Sequence, residues 1–245
     1  MSWVQSKRVK MLAAAALLVT ASSAAADILV VRSTGPSAKS FPPGKRLPES
    51  ARITLKPADQ LTVLDGRGTR IIRGPGTFTA GAKVGGVRSA SAAPVVTERR
   101  ARIGAVRGPG SEELRPPSIW HVDVTKSSAI CVAEAGNVTL WRADTAKPLT
   151  LNISRVSGGT TRQLAWEAGA STIGWPADLP VANDASYRLS WKGGAAPTSL
   201  TFKTLPQKPA GLEDMASSMI RNNCTAQLDL LIETVRLPED KAPGS

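Results

Sequence analysis

Groups that carry chemistry are scarce in this chain of 245 residues, which holds one histidine, two cysteines, one tyrosine and three phenylalanines. A structural zinc site takes four Cys or His ligands. His121, Cys131 and Cys224 supply only three. His121 is the one imidazole available to a Ser-His-Asp set. It lies between Trp120 and Val122 in a strand-like stretch, the setting of a structural or surface histidine. Gly169-Ala170-Ser171-Thr172-Ile173 lacks the second glycine of a nucleophile elbow. Gly66-Arg67-Gly68 and Gly74-Pro75-Gly76 are not followed by Gly-Lys-Ser/Thr and sit in a hairpin context, so neither is a phosphate-binding loop. Glu112-Glu113 and Glu213-Asp214 fall in a linker and at a helix start, not as the opposed carboxylates of a glycosidase. The expectation is a protein that is not an enzyme and needs no cofactor or metal, with an unfamiliar activity built on His121 as a remote alternative.

Long hydrophobic runs are missing too. The run of Leu, Ala and Val from Met11 to Val19 is far short of the roughly 20 apolar residues that cross a bilayer as a helix. Lys7, Arg8 and Lys10 precede it, and Ala24-Ala25-Ala26 follows it with small residues that a signal peptidase accepts. That is the three-part pattern of a secretory signal peptide over residues 1–26, cleaved between Ala26 and Asp27. An uncleaved membrane anchor is the alternative. No cysteine follows the run, which argues against a lipid anchor. The expected location is periplasmic or secreted, reached through a Sec-type signal peptide.

What the chain has in excess is positive charge. Loss of Lys7, Arg8 and Lys10 with the leader lowers the net charge from +12 to +9. Anionic partners therefore come into view, such as an anionic polymer, lipopolysaccharide or an acidic protein face. The export signal argues against nucleic acid. A basic composition with a solvated surface is the plain alternative. In an exported chain, two cysteines suggest one disulfide, Cys131–Cys224, against the alternative of two buried thiols. It would close a loop of about ninety residues, for which loop entropy gives about 4–5 kcal/mol.

Residues 27–80 read as a small antiparallel β module. Ile28-Leu29-Val30-Val31 opens it, and Arg52-Ile53-Thr54-Leu55 alternates as a half-buried strand does. Leu61-Thr62-Val63-Leu64 runs into the turn pair Asp65-Gly66, Thr69 to Arg73 returns, and Gly74-Pro75-Gly76 breaks the pattern.

The run Leu61-Thr62-Val63-Leu64-Asp65-Gly66-Arg67-Gly68-Thr69, followed by Gly74-Pro75-Gly76-Thr77-Phe78, resembles the β-rich periplasmic domain of FecR-type proteins. There, a strand ending in Asp-Gly leads through a further strand to a Pro-Gly-Thr corner. Gly44-Lys45-Arg46-Leu47 sits where such domains carry an upstream Gly-x-x-Leu. FecR regulators also carry a cytoplasmic tail that handles a sigma factor and a spanning helix behind it, a pattern not met in this sequence. The resemblance therefore implies a binding or assembly module, not a transmembrane signaller.

Residues 81–117 form a basic Gly/Ala/Pro-rich linker, with Arg99, Arg100 and Arg102 as a cluster that could dock on an anionic surface. From Ser118 the period of two returns. Strands are expected at Ile119–Val124, Ala129–Glu134, Val138–Arg142, Leu149–Ser154, Gln163–Trp166, Ser171–Trp175, Tyr187–Trp191 and Leu200–Leu205. Short strands spaced about 8–12 residues apart indicate an immunoglobulin-like β-sandwich over residues 118–208. Trp141, Trp166 and Trp191 read as core. Trp175-Pro176, at a strand end, is the candidate exposed aromatic of a ligand surface.

Over residues 209–237 the period changes. Leu212, Ala216, Met219, Ile220, Cys224, Leu228, Leu231 and Val235 recur at steps of three and four, an amphipathic helix that Asn222-Asn223 divides. With Cys224 on its apolar stripe, it is expected to pack on the sandwich. The fold class is thus mostly β with a C-terminal amphipathic helix. The function expected is binding, as an accessory module for an envelope protein or membrane sensor. The alternative is a cell-wall or polysaccharide binder using Trp175 and the Arg99–Arg102 cluster.

Overall fold

The computed structural model describes residues 27–82, 115–159, 161–193 and 196–237. The leader 1–26 and the arginines Arg99, Arg100 and Arg102 lie outside them. The described chain is mostly β and ends in two short helices.

The first β unit has six strands: β1 (Asp27–Thr34), β2 (Arg46–Pro48), β3 (Arg52–Leu55), β4 (Gln60–Asp65), β5 (Gly68–Arg73) and β6 (Gly76–Thr79). Four make an antiparallel sheet in the order β2-β1-β4-β5, while β3 and β6 pair separately. Strands β2 and β6 were not among those expected, because each is three or four residues long and carries proline or glycine at an end. Ile28, Val30, Leu61 and Val63 face the β3–β6 pair over one core, together with Ile53 and Leu55. Their neighbours Leu29, Val31 and Leu64 face the other way and are equally buried. A continuous apolar run such as Ile28-Leu29-Val30-Val31 is what a strand covered on both faces requires.

The β4–β5 turn spans Gly66-Arg67. The residue that follows it, Gly68 at the start of β5, has a positive φ of 144°. A side chain there would also meet the Val235 carbonyl oxygen, 2.3 Å from a Cβ position.

All eight strands expected from Ser118 onward are present: β7 (His121–Asp123), β8 (Ser128–Val132), β9 (Thr139–Trp141), β10 (Leu149–Arg155), β11 (Arg162–Trp166), β12 (Thr172–Gly174), β13 (Ser186–Trp191) and β14 (Thr198–Thr204). They form a five-stranded sheet, β11-β10-β13-β14-β8, and a three-stranded sheet, β12-β9-β7. The β14–β8 and β7–β9 pairs are parallel. Leu151, Ile153, Leu189, Leu200 and Phe202 from one sheet and Val122 and Leu140 from the other close a core that also holds Trp166 and Tyr187.

The C-terminal stripe is two helices, α1 (Leu212–Arg221) and α2 (Thr225–Thr234), broken where Asn223 adopts φ 56°. The hairpin does not pack on the sandwich alone. Ala216, Met219, Cys224, Leu228, Leu231 and Ile232 share one buried cluster with Leu29, Val31 and Leu64 of the first unit and Cys131 and Leu205 of the sandwich. Polar ties complete the clamp. Thr69 donates from its backbone nitrogen to the Val235 oxygen (2.9 Å) and receives the Leu237 amide (2.9 Å). Its hydroxyl donates to the Ile232 oxygen at 2.7 Å.

Cys131 and Cys224 form a disulfide that joins β8 to the start of α2, with Cα atoms 5.8 Å apart. Both residues are buried, at 1% and 0% exposure, so the disulfide is also apolar packing. A bond spanning 93 residues removes much denatured-state freedom. Replacing both cysteines by alanine should lower unfolding stability by about 4 kcal/mol, read by urea unfolding. Mass spectrometry of protein purified without reductant should find no free thiol.

Candidate functional site

A cleft of about 310 Å³ lies between α2 and the β7–β8 corner. Ile119, Ile130 and Leu230 give it an apolar floor, and Asp123, Lys126, Asp229 and Glu233 line its rim with Arg115 and His121. The rim charges are paired. Arg115 bridges Glu233, Arg32 of the first unit bridges Asp229, and Lys126 lies 3.7 Å from Asp123. His121 is half-buried, and its Nδ1 is enclosed without a hydrogen-bond partner among the described residues. Among the described residues no hydroxyl or carboxylate is hydrogen-bonded to the imidazole. The arrangement is an ion-paired seam across the α2 junction. Among the described residues no group of three or more His, Cys, Asp or Glu could hold a metal ion.

Beneath the cleft lies a contact that periodicity did not reveal. Gln227, 4% exposed on α2, uses its side-chain amide as a strand would use its backbone. Its Oε1 accepts from the Cys131 amide at 2.7 Å, and its Nε2 donates to the Cys131 carbonyl at 3.0 Å and to the Ile119 carbonyl at 2.9 Å. Strand β8 ends the five-stranded sheet, so these backbone groups would otherwise be buried and unpaired. The only hint in the sequence is a glutamine one step after Ala226 on the helix face that carries Cys224 and Leu228.

Arg142 is the second such residue. It is 5% exposed, yet its guanidinium meets no carboxylate among the described residues. It donates to the carbonyls of Ala170 (3.1 Å), Lys147 (2.9 Å) and Glu167 (2.7 Å), and it covers the Trp166 ring at 5.1 Å from the centroid. Three carbonyl dipoles and a π face replace the water it gave up. Its role is to hold the loops before β10 and after β11.

Trp175 is not the exposed aromatic expected from the sequence. It is half-buried, with edge-on contacts to Tyr187 and Phe202 at 4.9 Å each. Its indole nitrogen donates to the Leu179 carbonyl at 2.9 Å. The pair Trp175-Pro176 begins a loop that folds back over the sandwich end, so the ring closes the core there. Trp141 and Trp166 are buried, whereas Trp191 and Trp120 are half-buried. Asp27, at the expected cleavage point, is the first residue of β1 and pairs with Pro48.

The Asp-Gly turn of the first unit carries a charge cluster. Asp65, 5% exposed, accepts from the Arg67 amide (2.9 Å) and guanidinium (2.7 Å) and from Arg70 (3.3 Å). Burial works against its charge, but the Arg67 hydrogen bonds and the charges of Arg67 and Arg70 outweigh it and hold the carboxyl below its ordinary value. Burial pushes the Arg70 pKa down, and its Nη2 has no partner among the described residues.

Two outcomes follow from these contacts. Gln227→Leu keeps the volume but strands the Cys131 amide and carbonyl. Each buried group left unpaired costs about 1–3 kcal/mol, so unfolding with the disulfide intact should need at least about 2 kcal/mol less. Asp65 has a lower pKa folded than unfolded. Its contribution is therefore fully present above the unfolded value of about 4 and disappears as pH falls through the folded one. Asp65→Asn should reduce stability at pH 7 and flatten its decline below about pH 4, measured by urea unfolding across pH. Asp59, also lowered by hydrogen bonds from Ser37 against the effect of burial, keeps part of that acid limb.

Comparison of the chain with protein-family models, with curated proteins and with solved structures found no match.

Proposed function

We propose that this chain is an exported, non-enzymatic binding or accessory module that serves an envelope protein or membrane sensor. The observation that carries the reading is the clamp. One helical hairpin, a disulfide and the Gln227 amide tie two β units of different architecture into a fixed frame. Such a frame suits the presentation of strand edges and loops at set distances from one another. The disulfide fits an oxidising compartment, in line with the leader pattern of residues 1–26. The resemblance of residues 61–78 to FecR-type periplasmic domains points to the same setting.

A net charge of +9 after loss of the leader, lowered from +12 by removal of Lys7, Arg8 and Lys10, keeps an anionic-surface reading in play, resting on Arg99, Arg100 and Arg102 outside the described residues. Trp175 contributes little to that reading, since its ring packs on the sandwich core and its N–H is taken.

The test is a cross-linked pull-down of the mature protein from its native envelope at low and raised salt. One dominant membrane protein retained at raised salt is the expected result, and Trp175→Ala should leave it unchanged. Wall or lipopolysaccharide material that washes off with salt would replace the accessory reading with the surface-binding one.

A further inference from the structure

Sheet edges are where β proteins acquire partners, because each carries a row of unpaired N–H and C=O groups. Several edges here are closed. Gln227 occupies the β8 edge, the Val235–Leu237 segment lies along β5 through the Thr69–Arg236 bridge, and β2 is three residues long and ends at Pro48. The β11 edge has no such cover. The Val156 amide bonds to the Ser186 carbonyl one step beyond the Arg155–Tyr187 pair. In antiparallel alternation this turns Asn152 and Ser154 toward β13, and Leu151 and Ile153 toward β11. Leu164 and Arg162 pair with Leu151 and Ile153, so Gln163 and Ala165 aim their backbone groups outward. Neither residue's backbone has a partner among the described residues, and both side chains are exposed.

The surroundings say what would fit. Leu164 of β11 and Ile173 of β12 are only partly buried at this open side of the sandwich. Val156, at the tip that joins β10 to β11, is 63% exposed, the large apolar side chain most open to water among the described residues. Beside that tip stands Arg155, which pairs with Tyr187 and shares a sheet face with Ile153 and its partner Arg162, whereas Arg188 pairs with Ser154 and lies on the opposite face. Arg162 bridges Asp178, and Asp184 is taken by Lys203. Arg155 and Arg188 make no ion pair among the described residues.

We infer that β11 is the docking edge, and that it takes an extended segment of a partner protein as an added strand. That segment carries an apolar residue against Leu164 and a carboxylate near Arg155, both on the same face of the sheet. This rests on the accessory-module reading and gives it a contact surface. The backbone ladder supplies affinity, and the apolar and acidic positions fix register.

The experiment is the envelope pull-down run with four proteins. Gln163→Pro removes one outward N–H that the fold does not use, a change edge strands tolerate. Thr172→Pro makes the same change on β12, whose register also turns Thr172 outward. The variant Arg155→Glu reverses the charge without touching the backbone. Wild type and Thr172→Pro should recover the partner equally. Gln163→Pro and the charge-reversed protein should recover at least tenfold less, with circular dichroism and thermal midpoints showing all four folded. A photo-cross-linker at Ala165 should map to a non-helical partner segment that contains Asp or Glu. Equal recovery by all four proteins, loss with Thr172→Pro alone, or a cross-link to a helical or basic segment overturns the β11 assignment and leaves the accessory reading intact. Failure of the wild type to recover any protein overturns both.

Discussion

The rest of this structure depends on one apolar contact, the burial of the α1–α2 hairpin between the second face of the β1–β4 sheet and the β8 side of the sandwich. Without it, Leu29, Val31 and Leu64 would be bare to water on one side, and Ala129 and Cys131 on the other. Fully burying one side chain of that size contributes about 1.5–3 kcal/mol. Neither β unit could leave such a face exposed without inviting association. The hairpin is therefore structural to both units, though it follows both in sequence.

Directional contacts turn that burial into a definite geometry. The disulfide fixes where α2 begins, and Gln227 fixes its height against β8. At the far end, Gly68 lets the Val235 carbonyl come close enough to receive the Thr69 amide. Apolar packing alone is tolerant of sliding and rotation. A side-chain amide pairing with both backbone groups of Cys131 admits one register, since a shift in any direction leaves buried groups unpaired. The ion pairs Arg32–Asp229 and Arg46–Glu213 add little energy in their solvated positions, but they lie across the same seam.

Much of the chain's organisation was legible because two periods dominate it. Leu149, Leu151 and Ile153 alternate with Thr150, Asn152 and Ser154, and β10 has that pattern of burial. The stripe from Leu212 to Val235 shows a step of three to four, and the helices bury Ala216, Met219, Leu228 and Leu231 along it. The break at Asn222-Asn223 was legible as well, because asparagine adopts the left-handed conformation that stops a helix. Trp175 was misjudged for a physical reason. A strand-end position and a following proline suggest exposure, but the loop returns through Leu179 and folds the ring onto Tyr187 and Phe202.

The sequence by itself determined most of the strand segments, the helical stripe and the mostly β class, and it pointed to the pairing of its two cysteines, since these follow from local periodicity and from counting. Tertiary structure decided which faces meet. Ile28-Leu29-Val30-Val31 announces a strand apolar on both sides without saying what covers the second side. Gln227 and Arg142 look like surface residues on any local scale, yet they are buried because distant backbone groups need them. Edge availability is decided in the same way. Whether Gln163 and Ala165 turn their backbone groups outward depends on the register of β10 with β13, which is set by contacts far from them in the chain.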